Sequence, residues 1–281
     1  EILTEFPVTE GGAEEQEPRT ELLDLAILWA ELKVRSAAEG EQTRARRDAL
    51  ELLAEAEQTF GHSVVLDQER AGYAAEPGAD ARPAAPVAAA PQSVWEHNAL
   101  GRRLLHSGRL AEAEAEFQQA LKADPQAFWP NYGAGVCAYR AGRPADALTA
   151  FSVCVALDPA SAECFYNRGL AYAALDRRDD ALDDYARALA LDPRLAAASL
   201  HRGMLLREAG RFEEAAADFQ RALDDGAEAS AVHRQWALLE RQWALWHLAR
   251  NDRAAAKASL RKALAHAPDD RDSLALLRRL E

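Results

Sequence analysis

Lysine is nearly absent from this chain: four residues, against 29 arginines, in a length of 281. Isoleucine is scarcer still while alanine abounds, a composition that looks like the codon bias of a GC-rich bacterial genome. Acidic residues outnumber basic ones, 46 to 33, for a formal net charge of -13, and the arginines are interspersed with Asp and Glu instead of forming a stripe. Binding to phosphate backbones needs a basic footprint, so nucleic acid is excluded as a partner. Cysteine is down to three, Cys137, Cys154 and Cys164, an odd number with no CxxC spacing. That excludes a disulfide framework and a zinc site, and leaves buried free thiols. No apolar run reaches the roughly 18 residues of a membrane span. The start, EILTEFPVTEGG, lacks a basic segment followed by an apolar one, so no secretory leader is read there. The expectation is a cytoplasmic protein without membrane contact, and a first residue of Glu1 makes the chain an expected piece of something longer.

Catalytic signatures are missing too. No HExxH, GxSxG or GxxxxGK[ST] occurs. The seven histidines are dispersed, which gives no metal cluster, and no cofactor is expected. The acids Asp179, Asp180, Asp183 and Asp184 fall in the first turns of a helix, where they favour its positive end, and are read as a solvated face. The chain is expected not to be an enzyme.

What is present is a repeat. LGRRLLHSGRLAEAEAEFQQALKADP (100–125), AGVCAYRAGRPADALTAFSVCVALDP (134–159), RGLAYAALDRRDDALDDYARALALDP (168–193) and RGMLLREAGRFEEAAADFQRALDDGA (202–227) superpose without a gap at a period of 34. A glycine recurs at Gly101, Gly135, Gly169 and Gly203, where two helices approach closely, and a turn signal follows at Gly108, Gly142, Asp176 and Gly210. Then come a small residue (Ala113, Ala147, Ala181, Ala215), an aromatic (Phe117, Phe151, Tyr185, Phe219) and another small residue (Ala120, Cys154, Ala188, Ala222). Spacings of four and three put these on one helical face. Pro125, Pro159 and Pro193 end the units, since a ring without an N–H stops the helix.

This pattern resembles the tetratricopeptide repeat, a helix-turn-helix of 34 residues whose copies stack in a right-handed superhelix. The resemblance implies an all-α, right-handed solenoid of five units over residues 93–268, closed by an amphipathic capping helix at 269–281. It also implies a protein-interaction scaffold whose concave wall is lined by first-helix residues. At those positions stand Trp95, Asn98 and Arg102; Trp129, Tyr132 and Tyr139; Tyr166 and Leu170; and Met204 and Arg207. Large rigid rings anchor extended peptides at low rotamer cost, so a peptide or helix partner is the reading taken forward. Coverage by the chain's own Pro/Ala segment and simple packing between helices are the alternatives. The Lys-then-Asn pattern by which some such arrays clamp a chaperone's acidic tail is missing, since Asn98 and Arg102 stand there.

The fifth unit keeps Ala256, Leu260, Ala263 and Pro268 in place but is seven residues too long. The surplus is a duplicated heptad, RQWALLE (234–240) followed by RQWALWH (241–247), inside the first helix. Seven residues lengthen a helix by roughly 10 Å and turn its faces by only about 20°. Val232, Trp236, Leu239, Trp243 and Trp246 then form one stripe. Both copies cannot fill one slot on the fourth unit, so one heptad is expected to project and offer an apolar surface for self-association. The alternative is a longer helix that buries everything against its neighbours.

Before the array, residues 1–19 are acidic and punctuated by Gly and Pro and are read as a disordered tail, and 76–92 as a Pro/Ala-rich linker. Between them, 20–75 is a divergent repeat-like region of helices TELLDLAILWAELKVR, RARRDALELLAEAEQTFG and VVLDQERAGYA, the second with Ala49, Leu53 and Ala56 at repeat spacing. LLDLAILWAELKVR, the Pro/Ala stretch and FWPNYGAGVCAYRAGRPADALTAFSVCVALDP together resemble the C-terminal region of large bacterial serine/threonine kinases that carry such arrays. The Gly-rich loop, HRD and DFG of a kinase are absent. That resemblance therefore implies a regulatory or substrate-recruiting module whose catalytic domain lies outside the chain.

Overall fold

A computed structural model describes residues 13–38, 40–74, 91 and 93–281. Residues 1–12, 39, 75–90 and 92 lie outside the described residues, and with them most of the expected tail and linker. Fourteen helices and no strand are found among the described residues. They fall into two compact units, Glu1–Cys137 and Ala138–Glu281.

The first unit opens with α1 (Ala13–Arg35), α2 (Gln42–Phe60) and α3 (Val64–Ala74). Helix α1 starts at Ala13, inside the stretch expected to be a tail. Ala49, Leu53 and Ala56 are fully buried on α2, packed with Leu23, Ala26 and Ala30 of α1 and with Leu66 of α3. Helices α4 (Val94–His106) and α5 (Leu110–Ala123) follow, and α6 (Phe128–Arg140) reaches this unit as far as Cys137. Ser93 and Glu96 cap α4 reciprocally, and Glu96 also accepts from the Ser63 hydroxyl at 2.8 Å, tying α4 to the start of α3.

The second unit contains the end of α6 and then α7 (Pro144–Leu157), α8 (Ala162–Ala174), α9 (Arg178–Leu191), α10 (Ala196–Glu208), α11 (Phe212–Asp224), α12 (Ala229–Ala249), α13 (Arg253–His266) and α14 (Arg271–Leu280). The repeat glycines act by close approach. A Cβ on Gly169 would stand 2.7 Å from the Tyr185 ring, and one on Gly203 2.8 Å from Phe219, so the second helix's aromatic occupies the missing side chain's volume. At the turns, Asp176 (φ 57°) and Asn251 (φ 61°) adopt the left-handed conformation that Gly142 and Gly210 supply elsewhere.

Two ion pairs that the sequence did not reveal bind helices within this unit. Arg168 grips Asp184 with two bonds of 2.7 Å, and Arg202 grips Asp218 at 2.7 and 2.6 Å. The pairs are 34 residues apart, one per repeat. Asp184 is therefore a buried partner of Arg168, not part of a solvated face. Its spacing suits the helix's first turns, but the arginine on the facing helix decides its role.

Candidate functional site

The expected groove residues divide between the two units. In the first, Trp95 and Arg102 both turn to Asp24 of α1: the indole N–H donates to Asp24 Oδ1 at 3.2 Å, and the guanidinium forms an ion pair with the same oxygen. Asn98 is buried, and its Oδ1 has no partner. At this end the chain's own first described helix engages the wall where a partner was expected. Residues 71 and 78 apart in sequence make these contacts, so no local pattern could announce them. Trp129 differs. It is 57% exposed, edge-on to Phe128 at 5.1 Å and to Tyr132 at 6.0 Å, an aromatic knot whose outer ring faces solvent.

In the second unit α8, α9 and α10 bring two phenols and an imidazole together. The Tyr166 ring lies 6.0 Å from Tyr185 and 5.7 Å from His201, and Tyr185 is 6.3 Å from His201. His201 Nδ1 donates to the Ala197 carbonyl at 2.9 Å, which fixes its tautomer, and sits 3.3 Å from the Tyr166 hydroxyl. Burial, reinforced by the phenols of Tyr166 and Tyr139, holds the Tyr185 hydroxyl far above its usual range. That phenol stays neutral and can only exchange hydrogen bonds. Tyr139 is partly exposed, and Leu170 and Met204 are half-buried. Arg207 is the unusual member. Its side chain is 10% exposed, its Nε has no partner, and its nearest carboxylate, Glu208, is 3.5 Å away. A buried guanidinium with an unfilled donor is costly.

The lengthened helix behaves differently from the expected projection. Helix α12 has 21 residues where α8 and α10 have 13, so the duplicated heptad is indeed helical. Yet both copies find slots. Trp236 packs on Phe219 at 6.3 Å and stacks on His266 at 4.5 Å, while Trp243 stacks on Phe212 at 5.7 Å. Phe212 and Phe219 are themselves a heptad apart on α11, so the duplicated tryptophans meet a matching pair. Val232 and Leu239 are fully buried, and the stripe's exposed part shrinks to Trp246, beside Leu245 and beneath the Arg250 guanidinium at 3.5 Å.

Other chemistry is slight. Cys137, Cys154 and Cys164 are buried thiols outside any disulfide, and the hydrogen bond that Cys154 donates to Cys164, together with burial, pushes Cys154 well up, away from reactivity. Among the described residues, Glu57, His62 and Asp67 bring donor atoms within 4.8 Å of one another. Glu57 addresses His62 Nδ1 at 3.1 Å and Asp67 addresses Nε2 at 3.5 Å, and Arg70 holds the other Glu57 oxygen. Carboxylates on opposite ring nitrogens fit an imidazolium, whose pKa the Glu57 hydrogen bond raises, and not one shared cation. No described helix is long and apolar enough to cross a membrane.

Comparison with known proteins agrees with the repeat. Three family profiles, each described as tetratricopeptide repeat, match residues 98–162, 162–195 and 196–224. None of the curated proteins matches the chain in sequence. Among solved structures, PilF of Pseudomonas aeruginosa is similar with a TM-score of 0.55 at 16% identity, over 93% of this chain and 99% of that one. YrrB, described as a TPR protein with an unusual peptide-binding site, gives 0.53 at 21% over 65% and 91%, and MamA gives 0.52 at 22% over 64% and 94%. At such identities the likeness is one of fold, the all-α solenoid of helix-turn-helix repeats.

Proposed function

Residues 98–224 being tetratricopeptide repeats, we propose that the chain is a non-catalytic scaffold that captures a peptide or helix on its first-helix aromatic wall. The observation that carries this reading is Arg207, a nearly buried guanidinium with an unfilled Nε, at a first-helix position of the kind that Tyr139, Tyr166, Leu170 and Met204 hold in their repeats. A peptide carboxylate would neutralise the guanidinium, which Glu208 meets only at 3.5 Å, and the rings would bury its apolar side chains. YrrB's described peptide-binding site, on a similar fold, supports the same class of partner. Trp129 offers a second anchor in the first unit. Trp95 and Arg102 are left to pair with Asp24 of α1, Asn98 stays buried, and any self-association through α12 falls to Trp246 and Leu245.

The test is a peptide array of varied charge and helicity, followed by affinity measurement on the best binder. Tyr139→Ala is expected to weaken binding about tenfold, the loss of a typical anchor, with the circular-dichroism melt unchanged. Binding that is indifferent to both Tyr139→Ala and Arg207→Gln would sink the groove. Affinity found only for an attached kinase domain would move the function to the regulatory module that the sequence resemblance implies.

A further inference from the structure

Helix α1 is apolar on two faces. Leu23, Ala26 and Ala30 pack into the first unit's core, while Leu25, Leu28, Trp29 and Leu32 stay between 54% and 60% exposed on the other side. Their spacing of three, four and seven makes a continuous stripe, and no other described helix leaves four large apolar side chains this bare. The opposite end of the chain is finished differently. Helix α14 tucks Leu276, Leu277 and Leu280 against Ala244, Ala256 and Leu260, and turns Arg271, Asp272, Arg278 and Arg279 outward. A polar face of that kind terminates a helical stack.

We propose that the α1 stripe is a dimer seam, occupied by α1 of a second copy of this chain in antiparallel register. Three observations favour that occupant. The stripe is self-complementary about a two-fold axis between residues 28 and 29: Leu25 then meets the partner's Leu32, and Leu28 meets the partner's Trp29. An isologous contact of this sort closes on itself. The charged outer face of α14 offers nothing apolar to the stripe, so stacking of α1 on the α14 of another copy would leave it unburied. Finally, the four side chains expose roughly 400 Å² of apolar surface per copy, in the range of the largest functional patch on a monomer. Two copies would cover roughly 800 Å², below the 1,200 Å² or so of standard interfaces, so the dimer is weak and concentration-dependent.

Light scattering and sedimentation on the whole chain over a wide range of concentration test this. The expected mass is 30.7 kDa when dilute, rising toward twice that. The double substitution Leu28→Glu and Trp29→Glu alters only exposed positions, and should hold the mass at one chain throughout with an unchanged melt. Leu32→Glu alone serves as the milder variant and should weaken dimerisation at least tenfold. Trp246→Glu, on the exposed part of α12, should leave the dimer intact. A wild-type chain that stays monomeric overturns the proposal and passes the stripe to a partner of another sequence. Dimers that survive Leu28→Glu with Trp29→Glu, or that vanish with Trp246→Glu, overturn it as well.

Discussion

Glu240 lies within the first copy of the duplicated heptad, nearly buried, with Oε2 unpartnered and Lys262 Nζ 3.8 Å from Oε1. Burial pushes its pKa up, and Lys262 and Ser259 only partly offset this. A carboxyl whose folded pKa exceeds its unfolded value binds its proton more tightly when folded. Its contribution to stability is therefore fully present below the unfolded pKa and is lost as pH rises through the folded one. Glu240→Gln should raise stability by about 1 kcal/mol at neutral pH, because a neutral amide is less costly to bury than a carboxylate. It should also flatten the gain in melting temperature that mild acidification gives the wild type; an unchanged pH profile would show that the carboxylate is solvated. Single residues of this kind were the least legible in the sequence. Nothing local distinguishes Glu240 from the surface acids around it, nor buried Asp184 from exposed Asp183. In each case a residue on another helix decides, Ser259 and Lys262 for one and Arg168 for the other.

Helices α11 and α12 show how an element tolerates seven extra residues. A heptad insertion nearly preserves the helical face, and α11 happens to carry aromatics at the same interval, so Trp236 lands on Phe219 and Trp243 on Phe212. Trp236→Ala and Trp243→Ala should each cost about 2–4 kcal/mol, scaled down from the cost of truncating a fully buried aromatic. Trp246→Ala, at an exposed position, should cost less than about 1 kcal/mol. Chemical denaturation of the three variants reads the order, and an equal, small cost at 236 and 243 would mean that one copy is idle. The heptad's place inside the first helix was legible, because spacing arguments work along one helix. Its double docking was not, since the repeat pattern assigns α11 a single aromatic, Phe219, and leaves Phe212 without a role. Helices α2 and α3 were legible on the same local grounds.

At the scale of the whole molecule, composition sets how copies meet. The 34-residue period gave the helical pairs because each pair is built from contacts within a few dozen residues. The bond from Trp95 to Asp24 spans 71 residues and shows that a divergent region completes the first unit. Each copy carries a net charge of -13, so two copies repel over a Debye length of about 10 Å at 0.1 M salt and about 3 Å at 1 M. An apolar seam gains nothing from charge pairing, and added salt both screens that repulsion and leaves the burial intact. The dimer's dissociation constant should therefore fall as sodium chloride rises from dilute to molar, read by sedimentation velocity at fixed protein concentration. A peptide held through Arg207 should respond in the opposite sense if it is acidic, because salt then screens an attraction. A dimer that loosens with salt would mean that ion pairs, and not Leu25, Leu28, Trp29 and Leu32, hold the copies together.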